Sequence, residues 1–323
     1  MIYNKIKVGV VGLGYLGKFH YQKYKSNRYA NLVAVVDIDD KNINASQFKK
    51  VLKTNNYKDL INIVDAVSIV TPTITHYKIA KFFLENNIHV LLEKPMTETV
   101  LQAKKLNALA KKNNCIFQIG HLEQFNPAIR KLKLDSIQPQ FIEVHRLCKF
   151  NPRANDVDVV LDLMIHDIDV LLSVVESNVK YVSASGVAVI STTPDITNAR
   201  IEFENGCVAN LTASRISLKK MRKTRFFQKN AYIAVDFLEK KVEVVKMRDA
   251  PRKPEDFDLI LENADGEKKH IYFENPNIKD SNAILEELEV FADAIDKNEP
   301  VVVPLENGAR ALELAHQIMD CCK

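Results

Sequence analysis

The chain has 323 residues, 46% of them apolar, with 45 basic against 41 acidic side chains. That length holds two domains, each able to bury a core, and excludes global disorder. A formal charge of +4 leaves a surface too balanced to hold a polyanion, so a single small anionic molecule fits better than nucleic acid.

From the start to about residue 120, short β-branched runs alternate with longer amphipathic stretches. KIKVGVVG, NLVAVVD, DAVSIVT, IHVLLE and CIFQIG read as strands, with helical patterns between most of them. Runs apolar on both faces and separated by helix-length crossovers are what a parallel sheet covered on both sides requires. This part is predicted to be a doubly wound α/β domain of Rossmann type.

The first strand runs into VGLGYLGKFH, where Gly12, Gly14 and Gly17 fit G-x-G-x-x-G between a strand and a helix. The first glycine permits the tight turn, the second lets backbone approach a pyrophosphate, and the third lets helix pack on strand. Phosphates then rest at the positive helix end, beside Tyr15 and Leu16. Asp37 closes the next strand, where its carboxylate can accept both ribose hydroxyls of an adenosine. Asp39 and Asp40 follow with no evident Arg to balance a 2′-phosphate, so NAD is expected in preference to NADP.

The fourth and fifth strands end in TPTITH and EKPMT, at the carboxyl edge where ligands bind in this architecture. Pro72 and Pro95 stiffen those turns, which makes Thr71, Pro72, Thr73, His76, Glu93 and Lys94 candidates for the nicotinamide end of the cofactor. The Lys94 ammonium can stabilise alkoxide character on a reacting carbinol; an ordinary surface lysine is the alternative.

After residue 120 the pattern changes. One helix, about 157 to 176, interrupts the strand-like segments QFIEVHRLC, VKYVSASGVAVI, NARIEFENGCVANLTAS, AYIAVDF, KKVEVVKM and DFDLILE. Their close spacing and the turn signals FENGC and ENADGE predict antiparallel hairpins. The expected organisation is a Rossmann domain over 1–120, then an α+β domain over 121–300 with a large open, mainly antiparallel sheet. One face of that sheet is covered by helices and the other is free for a second subunit. A C-terminal helix, 301–323, is expected to pack back on the core.

In the 157–176 helix, Asp158, Asp162, His166 and Asp169 follow i, i+4, i+8, i+11 and line one face. They form either an exposed stripe or a cleft in which His166 accepts a proton and Asp162 orients its ring. No third ligand completes a metal site, so no metal is expected. The basic stretch KKMRKTR, 219–225, alternates like the solvated face of a strand, and its Arg222 is the place to look for contacts to a diphosphate.

Five cysteines, Cys115, Cys148, Cys207, Cys321 and Cys322, show no C-x-x-C and no zinc spacing, which suits a cytoplasmic chain without a disulfide framework. No apolar run approaches the ~18 residues of a membrane span, and no small-residue cleavage site follows the apolar opening. No membrane association is expected.

The glycine loop with Asp37, TPTITH, the E-K-P of Glu93, Lys94 and Pro95, and the D-x-x-x-H of Asp162 and His166 together resemble the Gfo/Idh/MocA oxidoreductase family over nearly the whole chain. The resemblance implies an NAD(P)-dependent enzyme acting on a sugar or cyclitol, with homodimers or homotetramers built through the second domain's sheet. It implies Lys94 and His166 as the catalytic pair, Asp162 assisting, with one of the pair taking the hydroxyl proton as hydride passes to the nicotinamide.

A narrower resemblance lies in GHLEQFNPAI, 120 to 129, which is similar to the G-H-x-x-R-F-N-P-A stretch of UDP-N-acetylglucosamine 3-dehydrogenases, with Gln124 at the usual Arg position. It implies oxidation of a UDP-sugar at C3, with His121, Phe125 and Asn126 joining Lys94, Asp162, His166 and Arg222 at the substrate. A partner aminotransferase would convert the 3-keto product to a 3-amino sugar for lipopolysaccharide. Free-sugar or inositol dehydrogenases and biliverdin-type reductases share the family's fold, and the family includes a non-catalytic transcriptional regulator. Retention of Lys94, Asp162 and His166 together favours an enzyme.

Overall fold

In the computed structural model of the protein, the first apolar run forms β1 (Ile6–Val11), buried from Val8 onward as an interior parallel strand must be. The structure describes residues 5–44, 48–132, 137–150, 157–251, 258–262 and 264–323. After β1 come α1 (Tyr15–Tyr24), β2 (Ala30–Val36), α2 (Asp40–Ile43), β3 (Leu52–Thr54), β4 (Ala66–Ile69), α3 (Thr73–Glu85), β5 (His89–Glu93), α4 (Val100–Lys112) and β6 (Phe117–Gly120). The six strands pair in the order β3-β2-β1-β4-β5-β6, every pair parallel. This is the Rossmann arrangement, whose order reverses between β1 and β4.

The chain continues through α5 (Pro127–Lys131) and β7 (Phe141–Leu147) to a π-helical turn, Val160–Met164, that runs directly into α6 (Ile165–Val174). Then follow β8 (Val179–Val187), β9 (Ile196–Phe203), β10 (Val208–Ser214), β11 (Met221–Gln228), β12 (Ala231–Asp236), β13 (Lys241–Asp249), β14 (Leu259–Glu262) and β15 (Lys268–Glu274). They form a nine-stranded sheet in the order β14-β15-β13-β12-β11-β7-β10-β9-β8. Only β7 and β10 run parallel, so the sheet is mainly antiparallel, as its hairpin signals require. Gly206 and Gly266 take positive φ values, 86° and 79°, in the FENGC and ENADGE turns. Asp256 and Phe257, expected in a strand, lie outside the described residues.

Two elements complete the chain, α7 (Ala283–Lys297) and α8 (Leu305–Cys321). Asn282 caps α7 by accepting from the Leu285 amide at 3.0 Å. Its apolar face, Leu288, Phe291 and Ala292, packs in one core with Val8, Val10, Tyr21 and Tyr24. The chain therefore divides into a unit of residues 1–125 with 281–313 and a unit of residues 126–280 with 314–323. This differs from the sequence boundaries: 281–300 belongs with the first unit, because α7 buries its stripe against that unit's core. The last helix is likewise shared between the two. No helix among the described residues is long and apolar enough to cross a membrane.

Candidate active site and cofactor cleft

Between the carboxyl ends of β1 and β4 lies a cleft of about 630 Å³ lined by Gly12, Gly14, Asp37, Ile38, Thr71 and Pro72, among others. Each glycine of the loop has its own steric reason. Gly12 has a φ of 96°, and a Cβ there would stand 2.6 Å from the Val70 carbonyl oxygen. A Cβ on Gly17 would overlap the Gly12 carbonyl oxygen, so α1 packs on the loop only without one. At Gly14 no atom of the described residues lies within 4 Å of an added Cβ, which leaves room for a ligand's approach.

No side chain caps α1 and no acidic residue occupies its first turn. The amides beside Tyr15 and Leu16 are thus left for an anion. Asp37 accepts from the Leu13 amide at 2.6 Å and from the Asp39 amide at 2.9 Å. Those bonds fix its carboxylate at the cleft wall with lone pairs to spare for ribose hydroxyls. The residues present fit NAD, and a 2′-phosphate would meet the carboxylates of Asp37 and Asp39.

Thr71 and Pro72 line this cleft, while Thr73 opens α3. His76, expected at the cofactor, is 1% exposed. Its Nδ1 lies 3.0 Å from the Pro95 carbonyl and its Nε2 2.8 Å from the Thr71 carbonyl. It braces the two turns rather than facing the cleft, and burial, outweighing the two carbonyls, holds the imidazole below its ordinary value. Glu93 is also turned inward, its Oε1 lying 3.2 Å from His20 Nε2. Gly120 is what lets it lie there, since a Cβ would come within 2.9 Å of the carboxyl carbon. Lys94, next in sequence, is half-buried at the end of β5.

In the second unit, Asp158, Asp162 and His166 are half-buried, whereas Asp169 is only 3% exposed. The four-residue stripe expected from a uniform α-helix is therefore broken. The extra residue per turn at Val160–Met164 shifts everything after it, and such turns recur at functional sites. Beside His166, Asp167 takes a bidentate pair from Arg146 on β7, Nε to Oδ2 at 2.6 Å and Nη2 to Oδ1 at 2.8 Å, both side chains buried. That pair fixes the rotation of α6, and sequence reasoning missed it because its members lie on different elements.

Arg222 stands directly opposite Arg146 in the antiparallel β7–β11 ladder, so it projects from the same sheet face as the side chain that holds α6. Burial first, and the Asp162 charge second, push the Cys148 thiol up, while Arg222, Lys220 and Arg146 oppose them. Asp162 and Arg222 thus act on one neighbourhood. Lys223 and Arg225 alternate to the other face and are paired with Asp236 and Glu143, both at 3.2 Å, so the basic stretch divides between two surfaces.

The GHLEQFNPAI stretch is more structural than expected. His121 and Phe125 are 1% and 0% exposed. The Asn126 side chain caps α5 through the Ala128 amide at 3.1 Å and donates to the Phe237 carbonyl at 3.1 Å. His121, Phe125 and Asn126 are thus buried, and Asn126 spends its side chain on backbone groups of its own unit. Gln124, in the usual Arg position, is buried too.

Residues 6–121 match a family described as an oxidoreductase family with an NAD-binding Rossmann fold, GFO/IDH/MocA, and residues 140–233 match the GFO/IDH/MocA C-terminal domain. A UDP-N-acetylglucosamine 3-dehydrogenase of Acidithiobacillus ferrooxidans is 34% identical over 317 residues, covering 97% of this chain and 96% of that protein. A solved structure of that organism's UDP-N-acetylglucosamine 3-dehydrogenase superposes with a TM-score of 0.88 at 31% identity, covering 100% of this chain and 98% of the other. Myo-inositol 2-dehydrogenase of Thermotoga maritima is 24% identical over 330 residues, 96% of this chain and 94% of that one. Scyllo-inositol dehydrogenase from Lactobacillus casei, solved with NAD(H) and scyllo-inositol, shares the fold at a TM-score of 0.78 and 20% identity, covering 99% of this chain and 97% of the other.

Proposed function

The chain belongs to the GFO/IDH/MocA family of NAD-dependent oxidoreductases, and from that premise we propose that it oxidises the C3 hydroxyl of UDP-N-acetylglucosamine, or of a related UDP-sugar, to the 3-keto sugar. The observation that carries this reading is the 34% identity to a UDP-N-acetylglucosamine 3-dehydrogenase, sustained over 97% of the chain and so through both units. An exposed Arg222 on the sheet face of Arg146 supplies a cation for the substrate's diphosphate.

When bound, NAD supplies the hydride acceptor. The loop from Gly12 to Gly17 and the first-turn amides of α1 hold its pyrophosphate, and Asp37 holds its ribose. His166 takes the proton from the C3 hydroxyl, Asp162 orients the imidazole, and the Lys94 ammonium stabilises the developing alkoxide. We place the enzyme in the cytoplasm as a homodimer or homotetramer assembled through its nine-stranded sheet, with an aminotransferase consuming the ketone to make amino sugars for lipopolysaccharide.

The test is to record nicotinamide reduction with UDP-N-acetylglucosamine, free sugars and inositols in turn, with glutamate and a sugar aminotransferase drawing off the ketone. A signal confined to the UDP-sugar supports the assignment. A signal from free polyols makes the enzyme a polyol dehydrogenase, and silence across the panel removes the catalytic reading.

A further inference from the structure

Below the β5 turn of the first unit lies a group of polar side chains that the reaction does not use. His20 on α1, Glu93 at the end of β5 and Glu287 on α7 are 0%, 8% and 1% exposed, and one side-chain nitrogen or oxygen atom from each lies within 4.8 Å of the other two. The other polar groups around them are Tyr24 on α1, whose hydroxyl bonds Ser68 Oγ of β4 at 2.8 Å, and Gln118 on β6, which donates to the Glu287 backbone carbonyl at 3.3 Å.

Two bare carboxylates cannot sit this close in an apolar core. Burial first, and the charge of Glu93 second, push Glu287 well above the usual carboxylate range. Burial and its neighbour thus favour the neutral form of Glu287. Glu93 is held from two sides: Oε1 faces His20 Nε2 at 3.2 Å, and Oε2 accepts from the backbone amide of Lys94 at 3.3 Å. Among the described residues His20 Nδ1 has no hydrogen-bond partner, which suits the tautomer that carries its proton on Nε2 and donates to Glu93.

We propose that His20 and Glu287 are positioning residues for Lys94, holding the Glu93 carboxylate in the one orientation that ties down the Lys94 backbone. One residue further on, His76 Nδ1 lies 3.0 Å from the Pro95 carbonyl. The inference rests on the reading of Lys94 as a group that acts on substrate. The residues, drawn from α1, β5 and α7, are all interior to the first unit, so the catalytic lysine's seat is set from beneath.

The experiment compares His20→Ala, Glu287→Ala and Glu287→Gln with the parent and with Lys94→Met, measuring turnover, NAD affinity and the unfolding midpoint from pH 5 to pH 8. Both alanine variants are expected to lose tenfold or more in kcat while the Kd for NAD stays within twofold. Glu287→Gln, an amide in place of a protonated carboxyl, should recover most of that loss. Because the folded-state pKa of Glu287 is raised, ionising it opposes folding, so this group lowers the parent's stability as pH rises and Glu287→Gln loses that part of the slope. Alanine variants within twofold of the parent in kcat, beside an inactive Lys94→Met, overturn the inference and leave the function intact. An active Lys94→Met overturns the function. If the alanine variants do not fold, identical pH slopes for the parent and Glu287→Gln overturn the inference, as does a stoichiometric divalent metal in the purified protein.

Discussion

In the first unit, backbone positions the groups that face the cleft: the φ of Gly12, the bare Cα of Gly17 under the loop, and the Asp37 carboxylate locked by two amides. In the second, Asp162 and His166 owe their place to side chains, above all the buried Arg146–Asp167 pair that fixes α6. The contrast teaches where each site is vulnerable. A backbone cradle fails by steric intrusion of one atom, whereas a helix held by a buried ion pair fails when a charge is left behind without its partner.

The largest break in that comparison is expected at the ion pair. Asp167→Ala removes the bidentate carboxylate from the buried Arg146 guanidinium and should cost about 3–5 kcal/mol of stability. An Arg146→Met, Asp167→Leu double variant should recover most of it in urea unfolding; a double variant no better than the single would show that charge is not the issue. Next comes the cradle. Gly17→Ala should abolish measurable NAD binding by calorimetry, while Gly14→Ala folds as the parent does and weakens NAD, because its Cβ meets ligand and not protein.

Asp37→Ala should weaken NAD by about 10- to 150-fold, the equivalent of losing a hydrogen bond to a charged group, and NADP by less. Equal losses for both cofactors would remove the ribose from its role. The smallest effect belongs to the two faces of β11. Arg222→Ala should weaken UDP by at most about fivefold, with a salt dependence the parent shows more strongly. Arg225→Ala, on the opposite face and paired with Glu143, should leave UDP binding unchanged.

The same contrast explains what the sequence disclosed. The cradle was legible because glycine spacing is a local steric code, and Asp37 lies at the strand end that code implies. Glu93 and His76 were read as cofactor contacts because only their chain neighbours were visible. Their real partners, His20 and Glu287 for one and the carbonyls of Thr71 and Pro95 for the other, are set by tertiary packing. The break in the Asp/His stripe comes from a π turn, which no 3.6-residue periodicity reveals. Strand β3 escaped notice because Leu52 and Lys53 are exposed and carry no apolar run. Helix α7 did carry a signal, with Leu288, Phe291, Ala292 and Ile295 at helical spacing behind the cap residue Asn282.

The division of the chain also has a consequence during synthesis. The first unit is closed by residues 281–313, so its opening 125 residues emerge without the helix that covers Tyr21 and Tyr24. At about 5–20 residues per second, the ribosome needs roughly ten to thirty seconds to deliver the intervening segment. Throughout that delay the cofactor-binding sheet exists with one flank bare. A nascent chain truncated before α7 is thus expected to be a chaperone client, and the nucleotide cleft to mature last even though its sequence is translated first.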